Sequence, residues 1–531
     1  MIQSLYALLL LHVQGQVLLM ADNLASFKVF CQGGLNTSRD VLSQGETSPG
    51  SAIGLINYEP AVTGGYRKIN GYSNDYGTVP GFGNVLGVCV ANGINDGILA
   101  ARYDTGSTNY LYYWDTATEA WVTITTPASV NVSTYPKVRF TKYNWGSDKV
   151  VITDGVNPAA TYDGTTYAQI TAATAPTAPK VSHVFKNHLF LAGDATDSTN
   201  LWFSAPYNET DFDPASGAGV INVGFPIVAI KSFRDVLYIF GSNNIRKLAG
   251  DNISNFVLQE VTDDLGCMAT DSVIEIGGDL LFLSQDGLRP VSGTDKIGDV
   301  NLETVSKDIQ SIFTDVVFDV DLDKLDAVVI RQKTQFRYFL GAAEGQGIIG
   351  GFRQTPNGLQ FEYGQMLGVF TTCATSGYIG QYEYVIHGDS NGKVHRQERG
   401  NDFDGEAILS VFQTPFFHMQ DPEQRKVYYT VATYLRSEGD NEIIMSALYD
   451  YEDIETLSPT NFTLVTKGAA AYYNEALYNS TAIFDGNPAP VQRTNISGSG
   501  KSASFKYVTN DTNASHSIQG LVITFGVGDR L

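Results

Sequence analysis

From Val85 onward the chain alternates short apolar runs with polar, glycine-containing turns. "VLGVCV" (from Val85), "ILAARY" (Ile98), "YLYYW" (Tyr110) and "WVTI" (Trp121) are separated by "ANGINDG", "DTGST" and "DTATEA". Runs this short, rich in β-branched and aromatic residues and bounded by Gly, Asn and Asp, predict an antiparallel meander of four strands. The pattern recurs as "VRFTKY", "VVIT", "AATY" and "YAQI" from Val138, and as "IVAIKSF", "VLYIF", "IRKL" and "FVLQEV" from Ile227. Less regular sets start near His183, Ser272, Ala327 and Gly368, each around a central pair such as "HLFLAGDATDSTNLWFS" or "YEYVIHGDSNGKVHRQ".

Four-stranded units at a period of about 40–55 residues are the sequence mark of propeller blades. The expected fold is therefore all-β, with a β-propeller of about seven blades over 29–405, in a range of six to eight. The near-continuous apolar strands fit blades that bury both faces. Leu302, Val305, Ile309 and Ile312 fall at helical spacing within 299–313 and predict one rim helix. After Asn401 the strands lengthen and alternate more regularly ("KVYYTVATYL", "EIIMSALYDY", "IQGLVITFGV"), which predicts a C-terminal β-sandwich over 406–531. The boundary is the polar "GNDFDGE" at 400–406. Residues 20–84 are Gly- and Asn-rich and are expected to wrap the ring or supply its closing strand. Residues 1–28 read as an N-terminal extension. The apolar run Leu5–Leu11 is too short to span a membrane and lacks the basic flank of a signal peptide. A start-site extension ahead of Met20 is the expectation there.

Composition agrees with an all-β chain: 29 Tyr, 28 Phe and 53 Gly stand against only 17% charged residues. The charge adds more. With 56 acidic and 34 basic residues the net charge is −22, the wrong sign for a protein that grips phosphates, yet suited to a surface that DNA slides past. Cys31, Cys89, Cys267 and Cys373 are far apart and form no CxxC, so buried free thiols are expected.

Candidate chemistry is thin. Gly500-Lys501-Ser502 matches the end of a phosphate loop, but Asn495 stands where its first Gly belongs and a strand-like segment follows. A hairpin turn is expected. "DVDLDKLD" places Asp319, Asp321, Asp323 and Asp326 together as a candidate cation loop, but Lys324 and Ile330 occupy the positions where a calcium loop needs Gly and Glu. A solvated acidic loop, with no metal, is the preferred reading. The seven His lack zinc-protease spacing and no GxSxG elbow occurs. Two carboxylates placed in space suffice for a glycosidase, and no sequence motif marks such a pair. No cofactor is expected.

The stretch "LINYEPAVTGGYRKINGY" (55–72) reads as a structural seam. Pro60 ends a strand, Gly64-Gly65 makes a tight turn, Glu59 and Arg67 pair across it, and the Tyr rings pack with polar tips exposed. The same stretch carries a resemblance. Asn57, Glu59-Pro60, Gly64-Gly65-Tyr66-Arg67, Ile69 and Gly71, together with "VVITDGVNPAATYDG", "NLWFSAPYNETDF", "VLYIFGSNNIRKLAG", "FLSQDGLRPVSG" and "TVSKDIQSIF", resemble the propeller virion proteins of tailed phages. The likeness is to tail hub or nozzle proteins of short-tailed phages, of the tail tubular and packaged-DNA-stabilisation types, and covers most of 29–531. It implies a structural protein and not an enzyme: a homo-oligomeric ring, usually of six, made in the host cytoplasm and carried in the virion tail. Such a ring sits below portal and adaptor or head-completion protein, meets tail fibre or needle proteins, and holds double-stranded DNA back until ejection without binding it specifically. The alternative is a carbohydrate-binding or glycoside-cleaving propeller, which would gather carboxylates and aromatics at one mouth of its axis.

Overall fold

A computed structural model describes residues 24–62, 64–104, 107–131, 137–292, 304–319, 321–341, 345–355, 358–419, 421–453, 456, 458–466 and 490–527. The expected start-site extension ahead of Met20 lies outside them. The chain divides into two compact units: one of 70–352 and 365–405, the other of the chain up to Ile69, 353–364 and 406 onward. The described part of 29–69 thus clusters with the C-terminal strands, whereas the sequence reading placed it with the propeller.

The first unit is a β-propeller with six self-contained blades. Four consecutive four-stranded sheets span 82–124, 139–169, 181–222 and 229–262, a three-stranded sheet spans 274–290, and the last spans 373–397. The hairpin turns follow from local sequence. Lys186-Asn187 and Arg234-Asp235 each place two consecutive residues at positive φ (46° and 64° in both), the two-residue turn whose twist matches flanking strands. Strands are apolar on both faces because each sheet is covered on both. Leu280–Leu283 are all buried, and Val150 and Val151, which point to opposite sides, are fully buried. One core joins Leu99 and Leu111 of the first blade to Val150 and Ile152 of the second; another joins Val88 and Ile98 to Ile386 and Val394 of the last. At about 1.5–3 kcal/mol for each fully buried large apolar side chain, such contacts are what hold the ring.

The ring closes with the strand Tyr72–Ser73, which pairs with Val394–Gln397 and supplies the fourth strand of the last blade. Tyr72 stacks on Phe403 and meets the rings of His387 and His395 edge-on, each at 4.9 Å. The set predicted from Ala327 is present, and Asp326–Ile330 packs between the first strands of the fifth and last blades. Its later strands, Gly347–Thr355 and Gly358–Met366, leave the propeller unit at Arg353 and return at Gln365. That set is not a separate blade, which gives six where seven strand sets are countable. The rim helix is Gln310–Asp319, preceded by a 3-10 turn at Lys307–Ile309; it starts later than its predicted span, of which 299–303 lie outside the described residues. Ile309 and Phe313 are its buried anchors.

The second unit holds two antiparallel sheets. In one, His516–Val527 pairs with Leu24–Phe30, Lys426–Ser437 and Tyr66–Lys68; in the other, Ile408–Gln413, Ala503–Asp511, Asn441–Tyr449 and Phe462–Thr466 lie side by side. Strand Lys426–Ser437 alternates buried and exposed positions along much of its length, as a sandwich strand must. Phe412, between the Tyr58 and Tyr66 rings, and the Thr433–Tyr507 hydroxyl bond (2.9 Å) join the inner faces of the two sheets.

Candidate functional site

The 55–72 stretch folds as a hairpin. Glu59 lies directly opposite Arg67, and Pro60, the last residue of its strand, opposite Tyr66. Gly64 (φ 92°) and Gly65 (φ 83°) turn the chain, and a Cβ on Gly65 would lie 2.2 Å from the Ile518 carbonyl oxygen. Only glycine satisfies both demands. Arg67 Nη1 reaches Glu59 Oε1 at 3.2 Å, and its Nε and Nη2 each donate at 2.6 Å to the two oxygens of Glu438. Glu438 is 371 residues away in the chain and is invisible to a local reading. Neighbouring Lys68 is fully buried, with Nζ 2.7 Å from Asp511 Oδ1. The Tyr58 and Tyr66 tips are not exposed. Tyr66 donates to Gly50 O (2.7 Å) and accepts from Gly34 N (3.0 Å), while the Tyr58 hydroxyl meets His516 Nε2 at 2.8 Å. Burial, with Lys68 and Arg67 nearby, pulls His516 down to about 3 and keeps it neutral. The hairpin is bolted to the sandwich by charge-assisted bonds.

The acidic loop disperses. Asp319 ends the rim helix; Asp321 caps the turn Leu322–Lys324, with Lys324 Nζ at 3.3 Å; Asp323 pairs with Lys180 at 2.6 Å; Asp326 is buried against Lys137 at 2.8 Å. The three described carboxylates turn to three different lysines and do not converge on one point.

Asp326 leads instead to the propeller axis. Lys137 Nζ lies 3.1 Å from Asp271 as well, and Arg139 grips Asp271 with Nε (2.9 Å) and Nη2 (2.7 Å). Burial would raise the Asp271 carboxyl, but the two cations beside it hold it well below the usual carboxylate range. Burial pushes Asp326 up to about 7, against the pull of Lys137 and with the help of the Asp271 charge. This cluster lines a cavity of about 400 Å³ walled by first-strand residues of successive blades, among them Gly87, Lys231 and Thr375. A neighbouring cavity of about 550 Å³ is lined by Asn84, Lys180, Asp323 and Phe370. Volumes of this order suit small ligands, not a nucleic-acid duplex. Among the described residues Phe370 is the one aromatic at that second cavity, and its Asp154 accepts from Val156 N, Asn157 N and Asn157 Nδ2. The convergence of carboxylates and aromatics that a glycosidase mouth calls for is not what these residues form.

The phosphate-loop look-alike is a strand and turn. Lys501 N and Ser502 N donate to Asp450 Oδ1 at 2.7 and 3.0 Å, so a carboxylate occupies the amides a phosphate would need. All four cysteines are buried free thiols, and burial raises Cys267 to about 11 and Cys89 and Cys373 to about 12, which leaves them unreactive thiols at neutral pH.

Residues 107–294, within the propeller, match the family model described as "Bacteriophage P22 Gp10, beta-propeller". No curated protein matches the chain significantly. Among solved structures, Hsv2 of Kluyveromyces lactis is similar at 12% identity and a TM-score of 0.31, over 51% of this chain and 83% of its own. An ancestral GH74 enzyme is similar at 10% identity and a TM-score of 0.38, over 71% and 53%. An exo-β-1,3-galactanase of Phanerochaete chrysosporium gives 9% identity and a TM-score of 0.24, over 86% and 100%. At these scores none of the three bears on fold or function. The matched span, from the third strand of the first blade to the end of the fifth, is similar to a phage structural propeller.

Proposed function

We propose that the protein is a structural virion component of a short-tailed phage, a subunit of the tail hub or nozzle ring that extends the DNA channel below portal and adaptor and retains DNA until ejection. The observation that carries this reading is the match of 107–294 to the phage propeller family. The net charge of −22 supports it physically, since a negative wall repels phosphates and lets a duplex slide. The axial cavities are too small for a duplex, so in this reading DNA passes through a channel enclosed by several copies, six by the resemblance. Adaptor or head-completion proteins above and fibre or needle proteins below are its partners, and the ring joins the virion in the host cytoplasm. The test is to image phage particles made with and without this protein. Loss of the distal tail density and leakage of packaged DNA are expected; intact tails and normal retention overturn the reading.

A further inference from the structure

A third cavity, of about 500 Å³, opens on the propeller between its first and last blades and belongs to neither ionic cluster. Trp114 and Tyr384 line it, and the Arg396 guanidinium lies 3.9 Å over the Tyr384 ring. That guanidinium is half-buried and, among the described residues, has no carboxylate or carbonyl acceptor. Its N–H donors are held in place by stacking and reached by solvent, so they stand ready for a ligand's acceptors. Asn92, Asn95 and Asp96 are exposed at the same cavity, with Asp75 across from them in the chain's closing segment. Asn95 Nδ2 bonds to the Tyr162 hydroxyl (2.9 Å), and Asp96 Oδ2 accepts from Thr116 N (2.6 Å) and Oγ1 (2.8 Å), so these rim groups are oriented in advance. Gly97 (φ 89°) keeps the floor low, for a Cβ there would stand 2.8 Å from Ile379 Cδ1.

From this geometry we infer that the cavity binds a neutral saccharide. The Trp114 indole offers flat apolar surface to the C–H face of a sugar ring, beside the Tyr384 ring, one face of which the guanidinium covers. Carboxylates accept from its hydroxyls, amides do both, and the free guanidinium donates to hydroxyl and ring oxygens. The charge balance selects against acidic sugars: Asp75 and Asp96 together outweigh Arg396, so an anionic ligand meets net repulsion. The site stands apart from the ring-forming role, and its failure leaves that role untouched.

Intrinsic fluorescence reads the test, because Trp114 is one of only four tryptophans. Full-length protein is titrated with maltotriose, cellotriose, tri-N-acetylchitotriose and the anionic trigalacturonate, each to about 20 mM, a range that reaches weak binding. The expected result is a saturable change with at least one neutral trisaccharide and about tenfold weaker binding of trigalacturonate, equivalent to about 1.4 kcal/mol. Arg396→Met keeps a chain over Tyr384 but removes the donors, and should weaken binding about tenfold. Should Arg396→Met shift the melting temperature, the exposed Asp75→Ala provides the second reading and should weaken the same sugar a few-fold. No response to any neutral trisaccharide, tighter binding of trigalacturonate, or unchanged affinity in a folded variant overturns the inference.

Discussion

Two ionic clusters in this molecule use the same kinds of group and differ in how the chain brings them together. Around Arg67, two of the three charges face each other on the arms of one hairpin, and Glu438 completes the set from a distant strand. Around Lys137, every carboxylate comes from elsewhere: Lys137 and Arg139 stand at the start of the second blade, Asp271 just before the fifth, Asp326 at the head of the following strands. The two clusters are shielded to a similar degree: Asp326 is 8%, Arg139 11%, Lys137 13% and Asp271 22% exposed at the axis, against 2% for Glu59, 18% for Arg67 and 20% for Glu438 at the seam. The number of charges sets them apart. At the seam one cation serves two acids. At the axis, desolvation drives one carboxyl toward its neutral form while its neighbour stays ionised.

The sharpest way to break this contrast is Lys137→Met. It leaves Asp271 and Asp326 buried without their shared ammonium and should destabilise the propeller by about 3–5 kcal/mol, the cost of opening a buried pair. All four tryptophans, at 114, 121, 145 and 202, lie in the propeller unit, so thermal unfolding followed by their fluorescence reads that unit alone. Adding Asp326→Asn to Lys137→Met should restore part of the loss, because the stranded charge goes with it. A single variant that melts like the parent would show that the axis is wet.

The pH dependence sharpens the contrast next. Asp326 holds its proton in the folded state up to about 7, whereas the unfolded chain releases it near 4. Between those values the folded state binds more protons, so this group makes stability fall as pH rises from about 4 to about 7. Asp271, held low, acts in the opposite sense and in another window: its contribution is present above the ordinary carboxylate range and is lost as pH falls below it. Asp326→Asn should therefore flatten the upper slope of the tryptophan-detected melting curve and leave the acid limb in place. An unchanged upper slope would deny Asp326 its raised value.

At the seam, Arg67→Met strands Glu59, which is 2% exposed, and should cost about 2 kcal/mol, while Glu438→Gln should cost less than about 1 kcal/mol because that partner is partly solvated. Amide hydrogen exchange on Tyr58, Glu59 and Tyr66–Lys68 measures both, and equal losses in the two variants would erase the distinction. The smallest effect belongs to Lys180→Ala. Its partner Asp323 is 70% exposed, and the change in propeller melting should stay within about 0.5 kcal/mol.

Much of the blade architecture is legible in the sequence because its hairpins are local. Lys186-Asn187 and Arg234-Asp235 sit between apolar runs, so turn chemistry and strand length point to the same fold. The set from Ala327 is different: "FRYFLGAAEGQGIIGGF" has a blade's rhythm, and nothing in its pattern announces that the chain leaves the propeller unit at Arg353. Tyr72–Ser73 closes the last blade with two residues, too short a run for periodicity to register. Glu59 opposite Arg67 follows from one tight turn. Glu438, Lys137, Arg139 and Asp271 have no such cue, since what joins them to their partners is ring and sandwich packing across more than a hundred residues. The burial of the Tyr58 and Tyr66 tips has no local cue for the same reason: His516 and Gly50, which satisfy them, come together with them only in the folded sandwich unit.

The proposed role rests on association, and the mass of the purified full-length protein in solution tests it most directly. Light scattering should give about six times the mass of one chain, in a species that persists on dilution to submicromolar concentration, as an obligate ring requires. A monomer that stays monomeric at high concentration would contradict the account.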